Sequence, residues 1–288
     1  MAPLRISDTL PLRDSSVRIP QLGFGVYQSA PNQCTKSCLN ALKAGYRHID
    51  TAQYYLNEAE VGEALRQTDI PRSEVFITTK ILGAGGSVEK SYQKCVESIQ
   101  KIDSKNEYVN LFLIHSASGS KEKRKEMWLA LEQLYKEGKA KSIGVSNWGV
   151  GHIEEMKSYA KEVPIPHVNQ IELHPWCQQS TVVEYCQKNS IVIEAYSPLV
   201  RNYKANDETL VRVAKGYGKS TAQVLVRWCL QRGFVPLPKS DDPGRIKENA
   251  NVYDFEISAQ DMKTMDGLDQ AEGGAIVQWV DNKYKAQI

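Results

Sequence analysis

The stretch VNLFLIHSASGSKEKRKEMWLALEQLYKEGKAKSIGVSN, residues 109–147, carries the pattern on which the fold depends. It opens on a short apolar run, 109–114, of strand rather than helix length. After a polar stretch, Trp128, Leu131, Leu134 and Tyr135 recur at helical spacing among charges, until Gly138 stops the pattern. A second apolar run at 142–145 completes a strand–helix–strand unit. Such a connection makes the two strands parallel neighbours.

Working outward, similar runs stand at 46–50, 75–79, 167–171, 191–195 and 234–237, with helical patterns between them. One of those helices opens on a capping box, Ser220 with Gln223, ahead of the apolar Val224, Leu225 and Trp228. Adding the run Ile19 to Val26 gives eight parallel strands, whose spacing suits a closed (β/α)8 TIM barrel, of α/β class, better than an open sheet. Periodicity alone does not exclude the open sheet. Alternating residues around Leu10 to Ser16 predict an N-terminal β-hairpin plugging the barrel's lower end. No long polar linker interrupts the chain, so residues 1–288 are expected to form a single barrel domain. After residue 265 periodicity fades, and the C-terminal tail, with Trp279 and Tyr284 as apolar anchors, is expected to lie over the barrel mouth.

Composition narrows the function. Lys and Arg number 36 against 34 Asp and Glu, which gives no electrostatic reason to expect nucleic acid or an anionic membrane as partner. No run reaches eighteen apolar residues, and the N-terminus lacks a secretory pattern. Six cysteines, at 34, 38, 95, 177, 186 and 229, are too sparse for a disulfide scaffold and predict a reduced, cytoplasmic compartment. The histidines and cysteines show no metal-ligand spacing, so no metal is expected.

Rare polar residues finish successive strands: Asp50, Lys80, His115, Ser146 with Asn147, Gln170 with Glu172, Tyr196 and Lys239. In a barrel these share the C-terminal mouth, where this fold collects its chemistry. A lysine ammonium beside a phenol favours the phenolate and eases proton donation, and a buried aspartate keeps that lysine charged. Acid assistance without a nucleophile, and without a Gly-x-Ser-x-Gly elbow, suits transfer to a carbonyl.

The chain resembles the aldo-keto reductases over nearly its whole length. The resemblance rests on LGFGVY at 22–27, GYRHIDTAQYYLNEAEVG at 45–62, ITTK at 77–80, LFLIH at 111–115, IGVSNW at 143–148, VNQIELHP at 168–175, AYSPL at 195–199 and PLPKSDDPGRIKENANVYDFEIS at 236–258. It implies a catalytic tetrad of Asp50, Tyr55, Lys80 and His115, with Tyr55 as proton donor because the motif places the acid five residues after Asp50. It also implies NADPH/NADP+ extended across the mouth without a Rossmann fingerprint. Ser146, Asn147 and Gln170 are then expected on the carboxamide, Tyr196 on the nicotinamide ring, and Ser197 to Leu199 over the pyrophosphate. Lys239, Ser240 and Arg245 match positions around the 2′-phosphate, and Glu248 and Asn249 those near the adenine. Gly23 and Gly25 are read as close-packing residues, and the GYGKS at 216–220 as a helix cap.

Several positions depart from common patterns of the family. Tyr27 and Ser116 stand where many members have tryptophan, and Ile81-Leu82 replaces a frequent Leu-Trp pair. With Trp148, which directly follows Ser146 and Asn147, these residues are the expected substrate pocket. The implied activity is NADPH-dependent reduction of an aldehyde or ketone to the alcohol by a monomer or weak homodimer. Two rival readings are a non-catalytic nicotinamide-binding subunit and a glycoside hydrolase built on Asp50 and Glu172.

Overall fold

A computed structural model describes residues 3–280. Eight parallel strands are laid down in chain order: β3 (Phe24–Gly25), β4 (His48–Asp50), β5 (Phe76–Ile81), β6 (Val109–Ile114), β7 (Ala140–Ser146), β8 (Val168–Glu172), β9 (Val192–Tyr196) and β10 (Val235–Pro236). Each pairs with the next through the unbroken series β3 to β10. Two backbone bonds, Gly23 N–H to the Pro236 carbonyl at 3.0 Å and Gly25 N–H to the Pro238 carbonyl at 3.1 Å, join the first strand to the last and close the barrel. Gly23 permits this seam: a Cβ there would stand 2.4 Å from Leu237 Cδ2 and 2.7 Å from His48 Nδ1.

The expected first strand, Ile19 to Val26, divides. Arg18–Pro20 (β2) pairs antiparallel with Thr9–Pro11 (β1), Leu10 facing Ile19, and only Phe24–Gly25 joins the barrel. The apolar run served two elements, and Pro20, which has no N–H to donate, stands at the break. Leu12 and Ile19 of this hairpin are buried with Phe76, Leu111, Leu113, Val168, Val235 and Leu237, which fill the barrel interior. The hairpin therefore closes the lower end, as its alternation predicts.

Alternate residues of the same strands face outward to the helices. On β6, Leu111 and Leu113 point inward while Phe112 and Ile114 join the outer core. The helix read from Trp128, Leu131, Leu134 and Tyr135 forms over Lys121–Lys136, burying Trp128, Leu131 and Leu134, and Gly138 follows its end at a φ of +71°. The Ser220 cap is also present: its hydroxyl accepts from Gln223 N–H at 3.3 Å, while Gln223 Oε1 accepts from Ser220 N–H at 3.0 Å. All six cysteines are buried and unpaired. The tail is described to Val280, and the anchor expected at Tyr284 lies outside the described residues.

Candidate active site

Period two along the strands decides which side chains enter the mouth. Lys80 points into the barrel and is fully buried; its ammonium donates to Asp50 Oδ1 at 2.7 Å, to the Thr51 carbonyl at 2.9 Å and to the Tyr55 hydroxyl at 3.2 Å. Tyr55 closes a single 3-10 turn, Gln53–Tyr55, that Leu56 ends in the left-handed region. Gln53 fixes that turn by donating to Ser98 Oγ at 2.9 Å and accepting from Leu82 N–H at 3.0 Å. Tyr55 thus turns inward to Lys80, and its neighbour Tyr54 outward, 55% exposed. His115 stands edge-on to the Tyr55 ring, 5.6 Å between centroids.

The residues expected on the cofactor continue this network. Tyr196 donates to Asn147 Oδ1 at 2.9 Å, Asn147 Nδ2 to Ser146 Oγ at 3.2 Å, and Ser146 Oγ to the Gln170 carbonyl at 2.9 Å. Gln170 Nε2 bridges two carboxyl groups, Asp50 Oδ2 and Glu194 Oε2, each at 2.8 Å. An unbroken polar chain therefore runs from Tyr196 to Tyr55. Ser197 and Leu199 line the same cavity, about 630 Å³ in volume and within the range of small-molecule sites. Gln28, Asn147, Ser197, Val200, Arg201 and Asn202 all hold positive φ without being glycine, which concentrates backbone strain around this opening.

Electrostatics set the protonation states. Burial works against the Lys80 charge, but Asp50 and then Tyr55 outweigh it and hold the ammonium above its ordinary value. The Tyr55 phenol is pushed up to about 12, because burial exceeds the downward pull of Lys80. The easing expected from the lysine is therefore present but smaller than the desolvation cost. His115 is lowered to about 3 by burial and then by Lys80, so a neutral imidazole faces the mouth. His48, beneath the site, is likewise lowered to about 3 from an ordinary 6.5.

These two histidines predict acid sensitivity. Between pH 6.5 and 3 the unfolded chain binds a proton at each that the native state refuses, so the share of stability held by these two rings falls as pH drops through that window. The slope is roughly 1.4 kcal/mol per pH unit for each. Each ring should contribute about 2 kcal/mol to the difference in urea-unfolding stability between pH 7 and pH 5, so His48→Asn should shift that difference by about 2 kcal/mol in favour of pH 5, and an unchanged difference would contradict a buried neutral ring.

The outer part of the mouth is assembled less tightly. Lys239 lines the cavity and pairs with Asp241 at 2.6 Å. Asp241 in turn accepts from Ser29 Oγ at 2.5 Å and Ser37 Oγ at 2.8 Å. Ser240 Oγ accepts from Asp242 N–H at 3.1 Å, leading into the helix Pro243–Ala250. That helix carries Arg245, exposed in its first turn, and Glu248 and the buried Asn249 farther along. These three stand outside the cavity that holds the tetrad.

Two pocket expectations need correction. Ile81 is fully buried in the outer core, since it lies one residue beyond inward-facing Lys80 and so takes the opposite face of β5. Trp148 is also fully buried in that core, its carbonyl accepting from Asn169 Nδ2 at 2.8 Å. Tyr27 and Ser116 do line the mouth, Tyr27 with its ring 5.0 Å from that of Tyr55.

Sequence reasoning missed Glu194, Asp241, Arg201, Tyr203, Val277 and Gln278. Glu194 had a readable signal, an acid within an apolar strand two residues before Tyr196 and hence on its face. Burial and then the neighbouring Asp50 push its carboxyl up to about 8. Val277 and Gln278 lie in a stretch without periodicity.

Comparison with known proteins places this arrangement. The model of the Aldo/keto reductase family matches residues 21–270. The chain belongs to the aldo/keto reductase family. It is 40% identical to glyoxal reductase of Bacillus subtilis over 94% of this chain and 96% of that protein. An aldo-keto reductase from a Medee basin deep-sea metagenome library superposes with a TM-score of 0.88 at 36% identity, covering 95% of this chain and 98% of that one. The Bombyx mori aldo-keto reductase in complex with NADP gives a TM-score of 0.84 at 28% identity, over 93% and 94% of the two chains. As an aldo/keto reductase, the protein is an NAD(P)-dependent oxidoreductase acting on small carbonyl compounds. Among the described residues no helix is long and apolar enough to cross a membrane.

Proposed function

We propose that this aldo/keto reductase reduces an aldehyde or ketone to the corresponding alcohol with NADPH, Tyr55 giving the proton to the carbonyl oxygen. The observation that carries the reading is the buried line Asp50–Lys80–Tyr55, ending in a phenol at the mouth. NADPH, when bound, supplies the hydride. The donor set suits its carboxamide: both Nε2 hydrogens of Gln170 are taken by Asp50 and Glu194, which leaves Oε1 as acceptor, and Ser146 and Asn147 stand beside it.

The chain's own residues then divide the work. Tyr55 holds a proton throughout the neutral range, since its phenol titrates near 12. Lys80 stays charged through Asp50 and stabilises the phenolate left after transfer. Neutral His115 orients the substrate oxygen by a hydrogen bond and with Tyr55 offsets the negative charge developing there. A hydride donor and acceptor must meet within roughly 3–3.5 Å, so the fixed Tyr196–Asn147–Ser146–Gln170 chain matters as much as the acid. NADPH oxidation screened over sugar aldehydes, aromatic aldehydes, α-keto esters and dicarbonyls tests the reading. The glyoxal reductase relative is the reason to include dicarbonyls in that screen.

Lys239, Ser240 and Arg245 are assigned to the 2′-phosphate, Lys239 exchanging its bond to Asp241 for the phosphate. A hydrogen bond to a charged group contributes about 1.5–3 kcal/mol, so NADPH should bind roughly tenfold or more tightly than NADH. Lys239→Met should erase much of that preference. Equal dissociation constants for the two cofactors in the unmodified protein would reject the phosphate clamp.

A further inference from the structure

Glu172 is the last residue of β8 and fully buried, yet it plays no part in the chemistry above. Its carboxylate is filled by the C-terminal segment. Oε1 accepts from Ile276 N–H at 2.7 Å, and Oε2 from Val277 N–H at 2.8 Å and Gln278 N–H at 2.7 Å. His174 Nε2 lies 2.9 Å from Oε1. Burial raises this carboxyl, but His174 and the three amides outweigh it, and the group stays below its ordinary value. Nearby, Gln179 Oε1 accepts from Val280 N–H at 3.1 Å. Three consecutive amides converging on one buried carboxylate form a seat for a segment that has no helix or strand of its own.

What the seat presents is informative. Val277 and Gln278 line the same cavity as Tyr55 and His115. Val277 is 47% exposed there, alongside Tyr54 at 55% and Tyr203 at 71%. Exposed apolar side chains gathered at a rim mark a surface that a ligand covers. We propose that Glu172 is a specificity-determining positioning residue: it docks residues 276–278 as one wall of the substrate pocket, and that wall selects carbonyl compounds carrying an aromatic or other bulky apolar group. The inference rests on the reductase reading of the same site.

Glu172→Gln tests it, because an amide NH2 in place of one oxygen faces N–H donors it repels. Two aldehydes that differ only in a terminal ring, 3-phenylpropanal and propanal, serve as probes. The ratio of their kcat/KM values should fall about tenfold in the variant, with the change in KM for the phenyl compound. Hydrogen exchange of the peptide spanning 276–278 should quicken, and the NADPH dissociation constant should hold within about twofold of wild type. Val277→Ala should lower the ratio in the wild-type background and add nothing in the Glu172→Gln background, as expected when one residue acts through the other. An unchanged ratio, additive effects, unchanged exchange, or equal loss for both aldehydes with weakened NADPH binding would each overturn the clamp. If Glu172→Gln does not fold, Gln278→Pro removes one donor from the other side and carries the same comparison. Wild-type protein inert towards every carbonyl would instead reject the reductase reading.

Discussion

Tyr55→Phe is expected to lower kcat by roughly 10²–10⁴-fold while NADPH binds as before. The hydroxyl stands 3.2 Å from the Lys80 ammonium, on the side away from the Asp50 carboxylate in the hydrogen-bonded line, and next to the Tyr27 and His115 rings. His115 does not replace it: with a pKa of about 3 its ring is neutral at working pH and holds no readily released proton. Phenylalanine keeps the shape of the pocket, so the loss should fall on kcat rather than on cofactor affinity. Tyr54→Phe, on the exposed side of the turn, provides the contrast. Near wild-type turnover by a Tyr55→Phe protein that binds NADPH would remove Tyr55 from the proposed role.

Lys80→Met should cost about 3–5 kcal/mol of stability as well as nearly all activity, because it leaves a buried carboxylate without its counter-ion. Asp50 is 3% exposed, and Gln170 at 2.8 Å is then its remaining side-chain donor. Adding Asp50→Asn removes the stranded charge, so the double variant should recover much of the stability and none of the activity. Urea unfolding of the four proteins gives the coupling directly. Losses that simply add would contradict a tight pair inside the barrel.

The strand ends were legible because a barrel places them all on one rim, and polar residues closing apolar runs are conspicuous. Asp50, Lys80, His115, Asn147, Gln170, Tyr196 and Lys239 meet around one cavity or its wall for that reason. Which face each neighbour takes was harder: Ile81 follows Lys80 in sequence and for that reason points away from it. The break at Pro20 was hidden because hairpin and barrel strand share one apolar run. Glu172 was visible as a polar strand end, but its partners are backbone amides of residues 276–278, and backbone donors leave no mark in composition.

Incubating the wild-type protein with a carbonyl compound and NADPH deuterated at the transferring C4 position follows the hydride itself. Carbonyl-dependent loss of NADPH absorbance is expected, together with an alcohol bearing the deuterium on its carbinol carbon. Cofactor that binds but is never consumed, or an alcohol whose carbinol carbon carries no deuterium, would contradict hydride transfer to the carbonyl.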